Sequence, residues 1–96
     1  MSTLNGSWEY SFLNANGDRI VDKIYIDNGN FRNTKIASHI VMFFYNRIAK
    51  QLSFTLCEQH HNQRIYFYYS LEVLGDMKIL RGTMNNNREV EFNKVY

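Results

Sequence analysis

The chain has 96 residues, enough for one domain, residues 1–96, and no second core. Its 11 Lys+Arg against 9 Asp+Glu leave a formal net charge of +2, too even for an electrostatically driven nucleic-acid binder. Cys57 is the sole cysteine, so an intramolecular disulfide is excluded and a cysteine-based zinc site would need ligands from elsewhere. A domain of this size buries only about 60–65% of the surface its unfolded chain exposes. Hydrophobic residues at 45% and aromatics at 16% supply the rich core that this requires. No apolar run reaches the roughly 20 residues of a membrane helix. The opening MSTLNGSWEY lacks the basic and apolar regions of a signal peptide, which with the lone thiol favours a cytoplasmic location.

In chain order, WEYSF (8–12) alternates, with Trp8, Tyr10 and Phe12 on one face and Glu9 and Ser11 on the other, the period of a half-buried strand. NANGD turns the chain, and RIVDKIYID (19–27) places Ile20, Ile24 and Ile26 on one face, with Asp22 as an odd polar member of that set. An acid there marks a bulge, a barrel mouth or a buried carboxyl with a raised pKa. NGN is a hairpin signal, after which FRNTKI (31–36) reads as a weak third strand. SHIVMFFYN (38–46) is the most apolar segment. Strict alternation puts Ile40, Met42 and Phe44 inward and Val41, Phe43 and Tyr45 outward. A helix over residues 36–50 is the competing reading, opposed by the β-branched and aromatic residues at its centre.

KQLSFTLCE (50–58) follows, with Leu52, Phe54 and Leu56 inward and Ser53, Thr55 and Cys57 outward. Beyond QHHNQ, RIYFYYSLEV (64–73) carries Ile65, Phe67, Tyr69 and Leu71 inward and Tyr66 and Tyr68 outward. MKILRGTM (77–84) and REVEFNKV (88–95) are the last two strands, joined by NNN. Eight short runs separated by Asn/Gly/Asp turns predict an all-β, antiparallel up-and-down meander. Closing it into a small barrel removes both bare edges.

The opening LNGSWEY, with Gly6 and Trp8, resembles the start of calycin-type barrels such as lipocalins, fatty-acid-binding proteins and the avidin group. The closing LRGTMNNNREVEFNKV resembles the last hairpin of small bacterial lipocalin-like domains through Leu80, Gly82, Val90, Phe92, Lys94 and Val95. The resemblance implies that Gly6 and Trp8 plug one end of the barrel and that a basic residue, Arg81 or Lys94, packs over the Trp. It also implies a small apolar ligand in the interior.

An eight-stranded barrel is just wide enough to be filled by side chains or to hold one small molecule. Tyr10, Phe12, Phe44, Phe54, Phe67 and Tyr69 are the candidate ligand contacts, with the two tyrosines as polar handles. The alternative is a solid aromatic core. The apolar outer set Val41, Phe43, Tyr45, Tyr66 and Tyr68 predicts a covered face, and a second copy of the chain is the simplest cover. That makes a homodimer or another protein-interaction module the competing function. Cys57, Glu58, His60 and His61 have metal-ligating chemistry but sit in a turn with no second cluster to complete a site, so no metal or cofactor is expected. No Gly-x-Ser-x-Gly, phosphate loop or carboxylate pair suggests an enzyme. RIYFYYS places aromatics beside a base, loosely like a stacking platform for single-stranded nucleic acid, without the glycines of an RNP1-type motif.

Overall fold

The computed structural model describes residues 2–32 and 36–95. A short 3-10 helix, Ser2–Leu4, precedes eight strands: β1 Gly6–Leu13, β2 Arg19–Asp27, β3 Asn30–Arg32, β4 Ser38–Asn46, β5 Gln51–His60, β6 Gln63–Leu74, β7 Ile79–Met84 and β8 Arg88–Val95. Each strand pairs antiparallel with the next, and β8 returns to pair with β1, closing the barrel. The segment expected to compete as a helix is strand from Ser38 to Asn46.

Turn chemistry sets the registers. Asn28 and Gly29 both have positive φ (48° and 84°), the conformation of a two-residue turn matched to strand twist, and they join Asp27 to Asn30. Asn85 and Asn86 also have positive φ, in the three-residue loop between the paired Met84 and Arg88. Asn85 also reaches sideways, its Oδ1 accepting from the Tyr68 N–H at 2.8 Å. Gly82 is required for a different reason. A Cβ there would collide with the Ser70 carbonyl oxygen, so β7 can cross β6 this closely only without a side chain.

The barrel wall is uneven. β5 is paired with β6 along its whole length, from Gln51↔Glu72 to His60↔Gln63. β3 is short: it pairs with β2 only at Tyr25, Ile26 and Asp27, and with β4 only at His39 and Ser38. Among the described residues, Arg19–Ile24 of β2 therefore has no strand neighbour on that side. The expected third strand was longer, FRNTKI; its residues 33–35 lie outside the described residues, and Ile36 is in a bend.

Phase is the main departure from the sequence reading. On β4, Ile40 faces Leu56 but Met42 faces Thr55, so one residue, Val41, is inserted as a β-bulge. Because side chains alternate with period two, one extra residue swaps the faces beyond it. Phe43 and Tyr45, expected outside, pack against the core. Met42 and Phe44, expected inside, are 70% and 64% exposed. On the other strands the alternation holds: Trp8, Ile24, Ile26, Leu52, Phe54, Leu56, Tyr69, Leu71, Leu80, Val90 and Phe92 form the buried interior. Ile20 and Ile65, at the ends of their strands, are partly exposed. Cys57 keeps its outward phase yet is buried, because His39 and Tyr66 flank it on the neighbouring strands.

Candidate functional site

Trp8 anchors the N-terminal segment to the core. Trp8 is buried, and its indole N–H donates to the Leu4 carbonyl at 2.9 Å, tying the 3-10 helix beneath the first strand. Lys94 lies opposite Trp8 on β8, with its Nζ 5.5 Å from the ring centroid. A Cβ at Gly6, whose φ is +135°, would stand 3.0 Å from the Lys94 Cε, so glycine makes room for that lysine. Of the two basic candidates the structure selects Lys94. Arg81 is instead on the outer face, where it pairs with Glu91 at 2.8 Å. The reason is parity: Lys94 is registered directly across from Trp8, whereas Arg81 is registered with Glu72 and Glu91. Hydrogen bonds from Asn93 and Arg81 hold the Glu91 carboxyl below its ordinary pKa.

From Trp8 an aromatic series runs through the core. Trp8 meets Phe92 edge-on at 6.4 Å, Phe92 lies 4.7 Å from Tyr10, and Tyr10 meets Tyr69 at 6.2 Å. Tyr69 stacks on Phe54 at 4.7 Å. These rings fill the centre of the barrel, and such pairs contribute about 0.5–1.5 kcal/mol beyond area burial.

The series ends at a cavity of about 480 Å³, lined by Tyr10, Asp22, Lys23, Ile24, Phe31, Ile36, Ser38, Leu56, Glu58 and Tyr69. It lies where β2 lacks a strand neighbour and only the short β3 bridges to β4, so the thin part of the wall and the hollow coincide. Its walls are mainly apolar with a few polar groups, and its volume falls within the range typical of small-molecule sites. The hydroxyls of Tyr10 and Tyr69 are 3.3 Å apart at its inner side. Burial raises both pKa values; for Tyr69 the charge and hydrogen bond of Tyr10 raise it further, while for Tyr10 the bond to Tyr69 and the Arg88 charge act the other way. Both phenols are therefore neutral hydrogen-bonding groups over the physiological range.

Two carboxylates border the cavity. Asp22 is registered across from Tyr10 on the inner face of β2, at the barrel mouth. Glu58 continues the inward phase of Leu56 on β5, and one of its oxygens accepts from His60 Nε2 at 2.9 Å. His61 is in the exposed turn and Cys57 is on the opposite face of β5, so the Cys57–His61 stretch does not converge on one point. Among the described residues no group of three ligating side chains comes together.

Of the ligand contacts expected from sequence, Tyr10 and Tyr69 line the cavity. Phe54 is buried in the core, and Phe12 and Phe67 pack at its edge, where the Arg88 guanidinium sits 5.4 Å from the Phe12 centroid. Phe44 points away, for the reason given by the bulge. The alternation of β5 carried an unused signal for Glu58, since Leu52, Phe54, Leu56 and Glu58 share one phase. The contributions of Phe31, Ile36 and Ser38 depend on how β3 and the start of β4 are placed, which local pattern does not encode. Outside, Val41, Met42, Phe44, Tyr66 and Tyr68 expose apolar surface on β4 and β6. Comparison of the chain with family models, with curated proteins and with solved structures found no match, so the functional reading rests on this geometry.

Proposed function

We propose that the protein is a non-catalytic, lipocalin-like binding barrel that takes a small apolar or amphipathic molecule into the cavity beside Tyr10 and Tyr69. The observation that carries this reading is the hollow of about 480 Å³ at the thin β2–β3–β4 wall, apolar in its walls and provided with polar handles. The packed aromatic core beside it supports the reading, because a rigid base lets a hollow stay open without collapse. The test is titration with the neutral fluorophore N-phenyl-1-naphthylamine, with amide shifts mapped in parallel. Saturable binding with shifts at Ile24, Phe31 and Leu56 is expected, and Leu56→Trp, which fills the hollow, should weaken it at least tenfold. Equal binding by the Leu56→Trp variant, or shifts confined to the outer face, would reject the reading.

The second reading is that the β4–β6 outer face contacts a second copy of the chain. Its support is the exposed set Val41, Met42, Phe44, Tyr66 and Tyr68, which crosses the small residues Ser53 and Thr55 of β5. Phe43 and Tyr45, turned inward, leave that set, and Met42 and Phe44 replace them. Sedimentation equilibrium should show a dimer that Phe44→Ser with Tyr66→Ser converts to monomer; a monomer at high protein concentration rejects it.

A further inference from the structure

The cavity has a charge as well as a shape. Among its lining residues the carboxylates, Asp22 and Glu58, occupy inward-facing positions, beside the neutral phenols of Tyr10 and Tyr69. Lys23 also borders it, but it alternates with Asp22 and Ile24 and is registered with Glu9, on the outer face of the β1–β2 ladder. His60 lies beside Glu58 and bonds to one carboxylate oxygen, leaving the other for a ligand. Arg88 lies over the Phe12 ring and does not line the hollow, although its charge is felt at the Tyr10 and Tyr69 hydroxyls. The Asp22 side chain makes no hydrogen bond or ion pair among the described residues. The aromatic rings of Tyr10, Phe31 and Tyr69 border the same space, and ring faces attract cations.

We infer that the ligand of this cavity carries a positively charged nitrogen on an apolar body, that is, a small organic amine or quaternary ammonium compound. This rests on the reading of the hollow as a ligand site. The apolar body lies against Ile24, Leu56 and Phe31, and the cationic head meets the Asp22 and Glu58 carboxylates, with the tyrosine hydroxyls and Ser38 as neutral acceptors. An anionic head would face both carboxylates, and among the described lining residues the one cation is Lys23, which alternates to the outer face of the β1–β2 ladder.

The test holds the tail constant and changes the head: octylammonium, octanol and octanoate are titrated by calorimetry into the whole protein at pH 7.4 and low salt. Octylammonium should bind about five- to tenfold tighter than octanol, the size of a few partly exposed charge and cation–π contacts. Octanoate should bind weakest. In Asp22→Asn/Glu58→Gln the ratio of octylammonium to octanol affinity should fall to about one, and in Asp22→Lys octanoate should gain on octylammonium. Ratios measured within one protein sample are insensitive to loss of folded material. Equal affinity for the three compounds, or preference for octanoate, overturns the charge assignment and leaves the hollow as a site for neutral molecules. No binding of any of them, with no amide shift at the lining residues, overturns the ligand site itself.

Discussion

Single positions in this barrel carry constraints that their residue type alone does not announce. Gly82 is one: any side chain there meets the backbone of Ser70. Gly82→Ala should lower stability by about 1–3 kcal/mol, the usual cost of forcing atoms into packed space, read from urea unfolding. Lys94 and Arg81 differ in the same way. Lys94→Ala removes the cation over Trp8 and should cost about 1 kcal/mol, whereas Arg81→Ala breaks an exposed pair and should cost about 0–1 kcal/mol. The Tyr10–Tyr69 pair gives stability a pH dependence. Folded-state pKa values raised above the unfolded value of about 10 mean that the unfolded chain loses those protons first, so stability is full below about pH 10 and falls as pH rises beyond it. Tyr69→Phe should flatten that alkaline decline in thermal melts taken between pH 8 and 11.

At the scale of the element, β4 shows where local pattern stops being informative. SHIVMFFYN is apolar on both faces, so either phase buries hydrophobic residues, and nothing in the segment says which. The pairing with β5 decides it, through the bulge at Val41. Phe43→Ala should therefore cost about 2 kcal/mol or more, and Phe44→Ala about 0.5 kcal/mol or less, when both are compared by chemical denaturation at dilute protein. Strands with one polar face were legible because slipping them by a residue would expose the core. WEYSF and QLSFTLCE are the clear cases: Trp8, Leu52, Phe54 and Leu56 are buried and Tyr10 and Phe12 pack against the core, as their phase requires.

At the scale of the molecule, closure depends on pairs far apart in sequence. β1 meets β8 through Ser7–Phe12 and Val90–Val95. The weak place is β3, where the wall rests on a few residues, and the cavity lies beside it. Amides of Asn30–Arg32 should exchange with solvent well before those at the centres of β5 and β6, as local opening follows the extent of pairing and burial. A ligand filling the cavity should slow exchange at β3 more than at β6, since it stabilises the closed form it binds.

The sequence by itself determined the class and order of the barrel, because alternation and Asn/Gly turns are local: a period of two places side chains, and positive-φ residues reverse the chain. It also marked Trp8, Tyr10 and Tyr69 as interior and Tyr66 and Tyr68 as exterior. Only the tertiary structure decided that Lys94 rather than Arg81 covers Trp8, that Val41 reverses the second half of β4, and that Asp22 and Glu58 border one hollow. Each of these is a matter of register between strands. Register is fixed by the balance of every ladder around the closed barrel, so no segment carries it alone.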